Sequence, residues 1–137
     1  MLLNFPLFLI SFAIYNMIVF LMPGVSWSDV IGSVPMQSGA AWTITMGDGL
    51  LALSLIFLFF EVLKATRTSA RSMFDHMLST LVFIGALVEF LIVPQAATSV
   101  FALLLIMTLI DVMAGWSVSM RAARRDLTVE SMPDGLT

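Results

Sequence analysis

The chain has 137 residues, of which 60% are hydrophobic and 11% charged, with a formal net charge of -3 and a mean hydropathy of +1.05. Soluble domains carry about 25% charged residues, so lipid is the expected solvent for much of this chain, and one compact domain is the most its length allows. No basic stripe runs along any segment, which speaks against nucleic acid as a partner, and the absence of cysteine excludes disulfides and thiolate chemistry.

The first apolar run covers residues 4–22. It lacks the basic start of a signal peptide and is too long for a signal core, so it reads as a retained helix. Asn4 is a suitable cap, Pro6 is tolerated in a first turn, and Pro23-Gly24 ends the run. Residues 25–40 are more polar. Ser26-Trp27-Ser28-Asp29 resembles a capping start, which predicts a short interfacial helix from Trp27 to Val34. Trp27 and Trp42 suit a membrane–water boundary.

Three further runs follow, at 41–63, 73–93 and 99–120, each near the length a bilayer requires. Residues 121–137 form a polar tail, expected to be frayed beyond its first turns. All six basic residues lie in two places: Lys64, Arg67 and Arg71, and then Arg121, Arg124 and Arg125. Four spans put both groups on one side, and the positive-inside rule makes that side cytoplasmic. The expected fold is an all-α integral membrane protein. It is a four-transmembrane-helix bundle with both ends inside, spanning residues 1–120, and a bacterial inner membrane is the expected location.

Asp48, Glu89 and Asp111 lie inside these runs with no Lys or Arg at their depth. An ionised carboxylate at bilayer depth costs ~2.5 kcal/mol or more. Each must therefore be protonated, hydrated, hydrogen-bonded or bound to a cation. Asp48 and Glu89 are expected to share a level in the outer half, with Asp111 near the middle. Small or polar neighbours accompany each acid: Thr45 with Asp48, Gly85 and Ala86 with Glu89, Thr108 and Gly115 with Asp111. Asn16 in the first span stands at the level of the outer pair. The structural alternative is that neutral acids merely hydrogen-bond helices together.

The other ionisable groups have simpler readings. Glu61 and Lys64 are spaced to pair at a helix end. Asp75 follows Ser72 at capping distance. His76, the only histidine, reads as a solvated interface residue, with a proton relay through His76 and Glu61 as the alternative. One histidine and no cysteine exclude a His-rich zinc site or bis-histidine haem within one chain, and no resident cofactor is expected. No HExxH, P-loop, GxGxxG or GxSxG motif is present, which points away from an enzyme. Two functions follow as expectations. One is a proton- or cation-handling transporter or channel with Asp48, Glu89 and Asp111 as its site, working as a homo-oligomer. The other is a non-catalytic accessory or assembly subunit of a larger membrane complex.

Overall fold

The structure is a computed structural model, and it describes residues 5–66 and 70–130. Asn4, the loop residues 67–69 and the last seven residues of the tail lie outside the described part. The chain is mostly helical. In order it forms α1 (Phe8–Leu21), β1 (Val30–Pro35), β2 (Ala41–Thr45), α2 (Met46–Ala65), α3 (Ala70–Ile92), a 3-10 turn (Pro94–Ala96) and α4 (Ser99–Glu130). Three helical stretches are long and apolar enough to cross a membrane: Met46–Ala65, Met73–Ile92 and Ser99–Arg125. The helix α1 is apolar but shorter, at 14 residues. The helix α4 continues through Glu130, so the first part of the polar tail is a helical extension.

The interfacial helix expected at Trp27–Val34 is absent, and a β-hairpin stands in its place. Val30 pairs with Thr45, Gly32 with Ile44, Val34 with Trp42 and Pro35 with Ala41, antiparallel, with a bulge at Ile31. The cause is local composition. Val30, Ile31, Val34, Trp42, Thr43, Ile44 and Thr45 are β-branched or aromatic and favour a pleated strand, while Gly32 and Pro35 both disfavour helix. Gly39 takes the left-handed conformation (φ 87°) that lets the strands reverse. The Ser26–Asp29 signal is real but closes a turn instead. The Asp29 carboxylate accepts from the Ser26 amide at 2.8 Å, and the Asp29 amide donates to the Ser26 carbonyl at 3.1 Å.

The expected second span also starts later than its apolar run, because residues 41–45 are strand. The helix α2 begins at Met46 on a capping box. Thr45 Oγ1 accepts from the Asp48 amide at 3.3 Å, and Asp48 Oδ2 accepts from the Thr45 amide at 2.9 Å. Its first turn is tied back to the preceding segment by Met46 N–H to the Asp29 carbonyl and Gly47 N–H to the Trp27 carbonyl. The helix α3 begins at Ala70, so Ser72 lies within it and is not the cap expected from the Ser72–Asp75 spacing.

Contacts at the two ends show that the helices alternate in direction. At one end the start of α1 meets the end of α2, where Lys64 Nζ donates to the Phe5 carbonyl at 2.9 Å. At the other end Tyr15 reaches the turn between α3 and α4. Its hydroxyl donates to the Gln95 carbonyl at 2.8 Å and lies 2.7 Å from Thr98 Oγ1, which in turn receives the Phe101 amide at 3.2 Å. The Tyr15 ring is fully buried between Trp27, stacked at 4.7 Å, and the edge of Phe101 at 4.9 Å. Phe12 and Phe90 complete this aromatic core around Phe101. Trp27, expected at the boundary, is thus half-buried packing, whereas Trp42 on the hairpin is exposed. Tyr15→Phe keeps the ring but removes the hydroxyl from the Gln95 carbonyl, while Thr98 Oγ1 keeps the Phe101 amide. It should cost about 1 kcal/mol of stability, read by thermal unfolding in detergent.

Between these ends α1 and α2 approach through small residues. Ser54 Oγ lies 2.8 Å from Ser11 Oγ and 2.7 Å from the Leu50 carbonyl, and both serines are fully buried. Polar side chains are thus inside, while Leu55, Ile56, Phe59, Leu81, Leu91, Ile92 and Met113 are exposed on the helix exteriors.

Candidate functional site

Asp48 and Glu89, expected at one level, stand in different surroundings. Asp48 is exposed on the first turn of α2, and Thr45 is its capping partner. Glu89 lies on α3, half-buried, at one end of a groove between α1 and α3, and Asn16 of α1 lines the same groove.

The helix α2 contributes two charged groups where α1 begins. The Leu7 amide has no partner within α1, as for any helix start, and it donates to Glu61 Oε1 at 2.6 Å. The same oxygen receives Lys64 Nζ at 3.2 Å, so the pair expected from sequence is present. Glu61 is 5% exposed, and both polar side chains clasp the start of α1.

The helices α3 and α4 contribute the rest. Asp111 is buried on α4, and Ser79 is buried on α3. One turn further along each helix, His76 presses on Gly115: a Cβ at Gly115 would stand 2.7 Å from His76 Cε1 and 3.1 Å from Cγ. His76 is therefore buried, at 8% exposed, in contrast to the solvated histidine expected. Its Nε2 is enclosed and has no hydrogen-bond partner among the described residues. Its carbonyl accepts from Thr80 Oγ1 at 2.7 Å, and Thr80 Oγ1 accepts from Trp116 Nε1 at 3.1 Å, which holds this part of α3 against α4. Thr108 is buried but bonds its own helix, at the Leu105 carbonyl.

Glu61 and Lys64 stand in the last turns of α2, and His76 stands near the start of α3. Asp75 is beside His76 in sequence. Three elements thus place Glu61, Lys64 and His76 toward the end of the bundle bearing the basic segments, with Ser79 and Asp111 about one turn further in on α3 and α4. Among the described residues no three His, Asp or Glu side chains converge closely enough to hold a metal ion. The chemistry on offer is proton exchange: two carboxylates, one imidazole and one ammonium in a mostly buried setting.

Sequence reasoning placed Gly115 beside Asp111 but missed Ser79, and it did not bring His76 to Gly115. Gly115 carried a legible signal, one turn from Asp111, but only the pairing of α3 with α4 shows that its missing side chain makes room for His76. Comparison with protein-family models, curated proteins and solved structures finds no match to this chain.

Proposed function

We propose that this chain is a four-span membrane protein that takes up and passes on protons through Glu61, His76 and Asp111. Membrane insertion is supported by the many large apolar side chains exposed on the helix exteriors, while serine, threonine, histidine and two carboxylates are buried beside the aromatic core. In water that arrangement would expose a large apolar surface. The helix α1 is the fourth span. Its 14 residues rise about 21 Å, and the flanking apolar residues Phe5, Leu7 and Met22 extend it toward the ~30 Å hydrocarbon thickness. The polar cluster then faces the cytoplasm, since Lys64, Arg71, Arg121, Arg124 and Arg125 mark that end. A bacterial inner membrane fits this orientation.

The enclosed, unpartnered His76 Nε2 carries the functional reading. Imidazole is the side chain whose charge changes near neutral pH, and here it packs on Gly115 of α4, one helical turn from Asp111 on that same helix. Asp111 is the inner station and Glu61 the group nearest the cytoplasmic surface. An assembly of several copies would supply the remainder of a pathway across the bilayer. In proteoliposomes with an internal pH dye, wild-type protein should dissipate an imposed proton gradient, and Asp111→Asn and His76→Gln should each slow this at least tenfold. Dye traces from both variants that overlay the wild type would refute the proposal.

A second reading, an assembly subunit, is favoured by the hairpin. Residues 30–45 contain no charged side chain, Val30, Ile31, Val34, Met36 and Trp42 are exposed, and a two-stranded sheet leaves both edges unpaired. A stoichiometric larger partner recovered in mild detergent would favour it, and a clean homo-oligomer would count against it.

A further inference from the structure

The groove between α1 and α3 is separate from the proton cluster and has its own chemistry. It encloses about 640 Å³. Phe5, Leu9 and Phe12 line one wall, Leu81 and Val82 the other, with Asn16 and Glu89 on facing helices at one end. Both helices run the same way, so the lining residues form two parallel stripes roughly 16 Å long. Small residues leave the space between the walls unfilled. Ala13 and Gly85 line the groove, and a Cβ at Gly85 would meet nothing within 4 Å.

The Glu89 carboxylate and the Asn16 amide make no side-chain hydrogen bond or ion pair within the described residues. At bilayer depth an unpaired carboxylate is costly, and it attracts a positive partner. The rest of the groove has the apolar lining of a site for an aliphatic or aromatic body, with few polar groups to orient it.

We propose that this groove binds a lipophilic cation, an amine or quaternary ammonium amphiphile, with its charged head at Glu89 and Asn16 and its tail along Leu9, Phe12, Leu81 and Val82. The site rests on the membrane placement above, since the groove opens sideways between α1 and α3. It does not rest on proton transfer at His76. A cation with a tail gains from both parts of the site. A neutral lipid tail would satisfy the walls but leave Glu89 unpaired.

The test uses the full chain in nanodiscs of zwitterionic lipid, titrated with dodecyltrimethylammonium and, separately, with the neutral dodecyl maltoside. No gradient is applied, so failure here is distinguishable from failure of the proton reading. Wild type should bind the ammonium saturably and more tightly than the neutral amphiphile. Glu89→Gln, which keeps the side chain's shape, should weaken ammonium binding at least tenfold and leave the neutral amphiphile unchanged. Gly85→Leu, which projects into the open space, should abolish binding of both. Equal ammonium affinity in wild type and Glu89→Gln would overturn the proposal and mark the groove as a slot for ordinary lipid tails. Absence of saturable binding by wild type, with the groove covered by a second copy, would overturn it as well.

Discussion

Replacing Lys64 by methionine should destabilise the protein by about 3 kcal/mol, the largest stability loss expected of any single substitution considered for this chain. Glu61 is 5% exposed and Lys64 12%, so water does little to screen the pair. Breaking a buried pair costs ~3–5 kcal/mol because the surviving charge is left without its partner. The loss is compounded at the start of α1. Lys64 Nζ holds the Phe5 carbonyl, and Glu61 Oε1 holds the Leu7 amide. Without the lysine, one acceptor is freed and the carboxylate keeps a single amide donor. The double variant Glu61→Gln with Lys64→Met removes both charges and should regain much of the loss, since neutral replacements of buried pairs are often tolerated. Unfolding by denaturant in mixed micelles measures both. A Lys64→Met protein as stable as wild type would mean that the clasp contributes nothing to holding α1.

Gly115→Ala should destabilise by about 1–3 kcal/mol, the range for overpacking a filled site. At an open helical position the same change stabilises by up to about 1 kcal/mol, because alanine restricts the unfolded chain and favours helix. The sign reverses at Gly115 because the added methyl would overlap the His76 ring. The ring must leave its place or α3 and α4 must separate. Gly85→Ala supplies the matched control. It is also helical but open, so it should be neutral or stabilising. If both glycines respond alike, His76 is not wedged against Gly115 as described. The substitution should also slow proton passage, since it displaces the imidazole.

The apolar runs made all four helices legible, and the clustering of basic residues made a common end legible. The hairpin was not, because the Ser26–Asp29 spacing is that of a helix start and competes with the β-branched residues on either side of Gly32 and Pro35. The true capping box, Thr45 to Asp48, was hidden in an apolar run that began four residues earlier at Ala41. Reading a T-x-x-D start there would have placed Asp48 at a helix entrance. The polar cluster was partly visible: Asp111, His76 and Glu61 all fall on the side of the basic segments. Burial of His76 was not visible, because it depends on which face of α3 meets Gly115, a rotational fact that a single helix does not encode. The separation of Glu89 from Asp48 has a similar origin. Depth along a helix can be counted from sequence, but the groove between α1 and α3 arises from the packing of all four helices.

The chain contains one histidine, so labelling histidine nitrogen alone yields a single imidazole to observe. Magnetic resonance of this label, in lipid nanodiscs stepped from acid to alkaline conditions, reports the protonation of His76 directly. Exchange with the cluster predicts that the imidazole changes protonation within the range where the protein stays folded, and that Asp111→Asn and Glu61→Gln each displace the midpoint. An imidazole fixed in one state throughout, unaffected by either substitution, would contradict proton handling at this site.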